Sequence, residues 1–358
     1  MNTSEMGGST PFRGGVEPLR PPMVSIVIPV RTLTPDLRET LTKLRDLDYP
    51  NFEVLVFTDG PVAEAFPKTT FISSGVPTPA EKRNLALKYA RGEIIAFLDD
   101  DSYPDPAWLR EAVPYFADSQ VGGVCGPGVT PPSDGLLEQA SGKVFGSWLA
   151  SYKAILRYRA CPKTEVDDFP SVNLLVRSSD FRQVGGFIEG FWPGEDTKLC
   201  LDLTKGLGKK IIYDPKVLVW HHRRALFKDH LKQVWRYANH RGYYSKIFPE
   251  TSRRLIYLVP SLFVLGLVMG PLASLVLGQI GSMWLASFLA AVYLGFLALY
   301  AFLLLWEGLA TRSLVLAPLV MLGIFLTHLA YGFGFLRGLF LRPQLKPHEV
   351  RGDTYIGG

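Results

Sequence analysis

The chain has 358 residues, 47% of them hydrophobic, and a formal net charge of +5. The apolar excess lies after Leu255, where charge nearly vanishes, so a single soluble domain is excluded and a charged half precedes a membrane-like one. Cys125, Cys161 and Cys200 are odd in number, widely spaced and never in a CxxC pair, which argues against a disulfide framework and against a cysteine zinc site.

Residues 1–22 are rich in Gly, Pro, Ser and Thr and lack an apolar stretch, so they read as a disordered lead without a signal peptide. Val24–Val30 (VSIVIPV) is a β-branched run that predicts a buried strand. Leu37, Leu41 and Leu44 put a helix over 35–47. Glu53–Thr58 is a second strand, and Phe71–Ser73 is a short third one. Thr78, Pro79 and Glu81 spell a capping box that opens a helix to about Tyr89. Gly92 stops it, and Glu93–Leu98 is another strand. This alternation predicts an α/β fold with a largely parallel sheet.

Such sheets bind ligands beyond the carboxyl ends of their strands. Asp59 follows one strand directly, and Asp99, Asp100 and Asp101 follow another, so four carboxylates fall on that edge. Residues 127–170 give no clear pattern beyond an amphipathic helix near 136–158. A helix over 194–207 opens with Glu195 and Asp196, and Lys210–Tyr213 and Val217–Trp220 read as short strands. An amphipathic helix over 227–244 carries Gln233 and Arg236.

Three apolar runs follow, about 255–278, 282–306 and 313–336. Each is long enough to cross a hydrocarbon core of about 30 Å. The cations ahead of them, Arg223 to Arg254, read as a cytoplasmic-side signal rather than a nucleic-acid patch. Three spans would put the C-terminus opposite the charged N-terminal part, yet Arg337, Arg342, Lys346 and Arg351 favour the same side. Either the rule fails here, or one run is re-entrant or lies in the interface. His328 inside the third run is read as packing rather than function.

Three consecutive carboxylates repel one another unless a cation or water relieves them, and Mg²⁺ or Mn²⁺ prefers such oxygen ligands. Alone, DDD fits a solvated acidic turn equally well. The ordered set VSIVIPV, VFTDGP, TPAEKRNLALKYARGEIIAFLDDD, RSSDFRQVGGFIEGFWPGEDTKLCLDL, YDPKVLVWHHRR and KQVWRYANHRG weighs against that. From about Met23 to Ile247 this set resembles glycosyltransferase family 2, whose catalytic domain has the GT-A fold.

The resemblance implies roles. Asp59, Arg83, Asp99, Asp100 and Arg236 would serve the nucleotide-sugar. Asp101 and His221 would hold Mg²⁺ or Mn²⁺, with His222 an alternative to His221. Asp196 would be the general base, with Glu195 beside it. Asn173 and Gln233 would border the donor or acceptor sugar. PVRTLTPD departs from the family's usual PxYN opening loop, and QVWRY has Tyr where the processive synthases' QxxRW has Trp. The expected division is a lead (1–22), a GT-A domain (23–226), an interfacial helix region (227–254), a membrane region (255–336) and a basic tail (337–358). The expected activity is inverting transfer to a lipid-linked glycan acceptor at the cytoplasmic membrane face, with no nucleic-acid partner. A processive synthase, a polyprenyl-phosphate transferase and an inactive scaffold are the alternatives.

Overall fold

The computed structural model describes residues 20–189 and 194–341. Most of the expected N-terminal lead, and the tail beyond Leu341 with Arg342, Lys346 and Arg351, lie outside the described residues. In chain order the strands are β1 (Val24–Pro29), β2 (Phe52–Thr58), β3 (Thr69–Ser73), β4 (Ile94–Leu98), β5 (Ser102–Pro104), β6 (Val121–Cys125), β7 (Gly128–Val129), β8 (Thr164–Val166), β9 (Asn173–Arg177), β10 (Lys210–Tyr213) and β11 (Val219–His221). The main sheet runs β3-β2-β1-β4-β9-β6-β10-β8. β3, β2, β1 and β4 are mutually parallel, as the sequence predicts. Beyond β4 the sheet is mixed, because β9 runs antiparallel to both β4 and β6. Every residue of β1, β4 and β6 is buried, which suits strands covered on both faces.

The helices follow the predicted caps. Thr34 accepts from Leu37 N at 3.0 Å to open Pro35–Lys43. Thr78 and Glu81 close the predicted capping box on Pro79–Asn84. The helix expected over 136–158 is instead three pieces. Leu136–Phe145 ends at Gly146, Ser147 caps Trp148–Ser151, and a 3₁₀ turn covers Tyr152–Arg157. The helix expected over 194–207 is α-helical only for Glu195–Leu201 and finishes in a π turn, Asp202–Gly206.

Lys228–Ile247 leads to three helices long and apolar enough to cross a membrane: Leu255–Gln279, Met283–Ala310 and Leu316–Phe340. The last packs along Lys228–Ile247 at backbone distance. A Cβ at Gly338 would lie 1.8 Å from Asn239 O, so only glycine fits there. Leu316–Phe340 also joins the catalytic part through Val320 and Ile324, which share a core with Ala140, Val144 and Leu226.

Candidate active site

β4 ends at Leu98, and the turn Asp99–Asp101 leads into β5. β5 pairs antiparallel with β11, and Ser102 stands opposite His221. That register brings His221 Nε2 to 3.2 Å from Asp101 Oδ1. Ligand atoms of Asp99, Asp101 and His221 all lie within 4.8 Å of one another. His222, one residue on, faces the other side of the strand, as the alternation of side chains requires. Its Nδ1 is 2.5 Å from Asp134 and its Nε2 is 3.2 Å from Glu39. Burial would lower the His222 pKa, but these two carboxylates outweigh it and raise it.

The electrostatics favour a cation. Burial, reinforced by the charges of Asp101 and Asp99, pushes Asp100 up to about 7. Asp101 is held below the usual range, because His221 and Arg223 overcome its burial. Asp101 Oδ1 is nevertheless sealed from solvent with no well-formed hydrogen bond. Two carboxylates and one imidazole around such an atom are a fitting donor set for a divalent ion.

Arg83, from the helix Pro79–Asn84, links this cluster to the predicted base. Its Nη2 donates to Asp99 Oδ1 at 2.6 Å and its Nη1 to Glu195 Oε1 at 3.2 Å. Glu195 also accepts from Gly194 N at 2.9 Å, so both of its oxygens are engaged. Burial and the neighbouring Asp196 push it up to about 7. Asp196 is held differently. Its Oδ1 accepts from Thr197 N at 3.0 Å and its Oδ2 from Ser171 N at 3.3 Å. Backbone amides thus fix the carboxylate, and burial followed by Asp168 raises its pKa.

Arg83, Asp99, Glu195, Asp196, His221 and Arg223 all line one cavity of about 720 Å³. Gln233 also lines it, and its amide donates to Tyr237 OH at 3.2 Å. The cavity does not stop at the catalytic part. Its wall continues through Tyr257, Pro260 and Phe263 on Leu255–Gln279 to Phe296 and Tyr300 on Met283–Ala310.

Other expected residues fall elsewhere. Asp59 stands at the end of β2, half exposed and ion-paired with the buried Lys82, away from the cavity wall. Asp100 and Arg236 likewise do not line it. Asn173 is fully buried. Its amide nitrogen donates to Gly126 O at 2.8 Å and Val217 O at 2.7 Å, and its oxygen accepts from Trp108 Nε1 at 2.8 Å. Those bonds commit the side chain to joining strand ends.

Sequence reasoning missed Lys82, whose buried ammonium donates to Val30 O at 2.6 Å. It also missed Arg157, Arg223 and Arg241, which turn into the cavity. Arg223 and Arg241 had been counted only as charges beside a membrane. Their inward direction depends on β11 and on the neighbouring long helices, and no local spacing announces it.

Residues 25–184 match the family described as Glycosyl transferase family 2. The chain carries a family 2 glycosyltransferase domain. It is 28% identical over 319 residues to the pre-mycofactocin glycosyltransferase of Mycobacterium tuberculosis, in both strain CDC 1551 / Oshkosh and strain H37Rv. That match covers 83% of this chain and 63% of the curated relative, so this chain spans under two thirds of the relative's length. A mannosyltransferase of Pyrobaculum calidifontis, solved with GDP-Man and Mn²⁺, superposes with a TM-score of 0.51 at 20% identity. The superposition covers 92% of this chain and 90% of that one, so the GT-A architecture and the helical end are shared as a fold.

Proposed function

We propose that this glycosyltransferase chain is an inverting, metal-dependent enzyme. It moves a sugar from a nucleotide-sugar to a lipid-linked acceptor at the cytoplasmic face of a membrane. The observation that carries the reading is the shared cavity. Asp99 and His221, Asp196, and apolar side chains of two membrane-length helices line one space.

Asp99, Asp101 and His221 are the residues that would hold Mg²⁺ or Mn²⁺. Charge neutralisation of the departing nucleoside diphosphate is what the ion supplies when bound. Asp196 removes the proton from the acceptor hydroxyl as its oxygen attacks the anomeric carbon. The bond from that carbon to the diphosphate breaks on the opposite face, which inverts the centre. A carboxylate with a raised pKa is the better base near neutral pH, and Asp196 has one. Glu195 holds Arg83 rather than the acceptor, since it is ion-paired to that buried guanidinium, whereas Asp196 is hydrogen-bonded only by backbone amides. Arg83 in turn orients Asp99. Gln233 borders the sugar. The apolar wall shields the reaction from water and admits the acceptor from the bilayer.

The test is nucleoside diphosphate release by the full chain across a panel of nucleotide-sugars, with membrane lipid extract as acceptor. Release from one donor that requires Mn²⁺ or Mg²⁺, stops with EDTA and is lost in Asp196→Asn supports the reading. Release unaffected by EDTA and by the substitution overturns it. So does no release from any donor.

A further inference from the structure

The short helix Trp148–Ser151 and the turn after it have two faces. Leu149, Ala150 and Ser151 line the cavity. Trp148 is not on that wall and is 59% exposed, while Tyr152, at the rim, is 36% exposed. Their rings meet edge-on at 6.0 Å. Tyr152 sits at φ +46°, a region that few residues other than glycine adopt, so the chain accepts a strained turn where this pair forms. Lys143 and Lys153 flank the pair in sequence, and both are exposed.

The depth of the pair is fixed by its neighbour. No Asp, Glu, Lys or Arg lies between Leu255 and Trp306, and Glu307 is the first such residue after them. Glu307 therefore marks where Met283–Ala310 leaves the hydrocarbon. Leu149 is tied to that level through both of its backbone groups. Its N donates to Glu307 Oε1 at 3.3 Å, and its O accepts from His328 Nε2 at 3.0 Å. Trp148, one residue away, is held at the same boundary. On Met283–Ala310 itself, Phe302, Leu305, Trp306 and Leu309 are all exposed there. The aromatic pair thus continues an apolar surface that already belongs to a membrane-length helix.

We propose that Trp148 and Tyr152 seat this segment in the headgroup layer of the lipid bilayer, so that the bilayer supports one wall of the cavity. Such rings suit that layer, because the apolar body sits among acyl chains while the N–H or O–H stays hydrated. Lys143 and Lys153 reach lipid phosphates with their ammonium groups while their stems cover apolar surface. Lipid is the occupant that the depth of Leu149 and the exposed flank of Met283–Ala310 both favour over a protein partner. Leu149, Ala150 and Ser151 then stand between the lipid and the reaction space.

The experiment places a nitroxide on the full chain in phospholipid nanodiscs, in a Cys161→Ser background. Its collision rates with oxygen and with a water-soluble nickel chelate are compared. Oxygen enriches in the apolar layer and the chelate stays in water. Labels at Trp148→Cys and Lys153→Cys should give an oxygen-to-chelate ratio close to that at Trp306→Cys. Both should lie roughly threefold or more above the ratio at Ser119→Cys, on the water-facing surface. The Lys153→Cys chain keeps both rings, so its reading does not suffer from loss of the indole. Adding Trp148→Asp to that chain should return its ratio toward the Ser119→Cys value, and adding Trp148→Phe should not. Far-UV circular dichroism on each variant reports that the chain is folded. Ratios at Trp148→Cys and Lys153→Cys equal to that at Ser119→Cys overturn the inference. So does shielding of both labels from both reagents, which would mean that protein covers the pair. A Lys153→Cys ratio that Trp148→Asp leaves unmoved overturns it as well. Nucleotide release has no part in these readings, so the membrane seat and the transfer reading stand or fall separately.

Discussion

Arg83 is 4% exposed and holds Asp99 with one guanidinium nitrogen and Glu195 with another. Truncating it strands the buried Glu195 carboxylate and leaves the partly exposed Asp99 without its partner; breaking a buried pair typically costs about 3–5 kcal/mol. Arg83→Ala should therefore lower the unfolding temperature in detergent as well as abolish transfer. Arg83→Lys separates the two effects, because a single ammonium lacks the fork that reaches both partners. It should unfold close to the parent and still lose most activity. A fully active Arg83→Lys enzyme would show that the bridge is not needed. The histidines give a second residue-scale prediction. His221 faces Asp101 and His222 faces Asp134 and Glu39. His221→Ala should raise the Mn²⁺ concentration needed for half-maximal nucleotide release by about tenfold or more, while His222→Ala should leave it nearly unchanged. The reverse pattern would assign the wrong ring. The carboxylates of this site were legible in the sequence because strand ends and a helix start place them. The choice between the two histidines was not, since it follows from which β11 residue stands opposite Ser102.

At the scale of elements, the joint between catalytic part and helical end is polar at one point. His230 on Lys228–Ile247 is fully buried. Its Nδ1 is 2.8 Å from Ser141 Oγ and its Nε2 is 2.9 Å from Thr327 Oγ1, so it ties three helices together. Burial pushes its pKa down to about 4. An unfolded histidine takes its proton at about 6.5. Between those values the unfolded state binds more protons, so this group's stability contribution is present above about 6.5 and is lost as pH falls toward 4. The full loss is on the order of 3 kcal/mol. Asp100 and Glu195, both raised to about 7, shift stability with pH in the opposite sense. The readout is therefore the unfolding temperature of the parent minus that of His230→Gln, taken from pH 7.5 to 4.5. That difference should shrink or reverse as pH falls; a constant difference would mean that His230 does not titrate between the two states. The long helices and the capped ones were legible from apolar period and cap residues. β8 and β9 were not. They are short, and their pairing with distant β10, β4 and β6 is set by tertiary contact rather than by local pattern.

For the whole molecule, the three long helices are not equivalent. Within the most apolar window, Leu255–Gln279 is 11% buried and Met283–Ala310 is 0% buried, but Leu316–Phe340 is 44% buried. Its partners explain the difference. Thr327 reaches His230, Gly334 meets Ala238 and Gly338 meets Asn239, so it runs parallel to Lys228–Ile247 over most of its length. That neighbour carries Lys228, Asp229, Lys232, Arg236, Arg241 and Lys246, a load that hydrocarbon does not accept along its full depth. Its contacts with the other two helices fall near one end of each. Gly332 meets Pro260 near the start of the first, and Met321 and His328 meet Gly308 and Tyr300 toward the close of the second. Leu149 of the catalytic part also hydrogen-bonds Glu307 there, which marks that end as the catalytic side. The exposed large apolar side chains Leu322, Phe333 and Phe340 leave it a limited lipid-facing surface. An interfacial helix laid across the base of a two-helix hairpin would account for these contacts. The expected topology then has two crossings, with Leu341 back on the catalytic side. In a Cys161→Ser background, a membrane-impermeant maleimide should label Leu341→Cys from the same side as Ser119→Cys, and Gly281→Cys from the opposite side. Labelling of Leu341→Cys together with Gly281→Cys would instead make Leu316–Phe340 a full span. The charged helix beside it would then have to enter the bilayer.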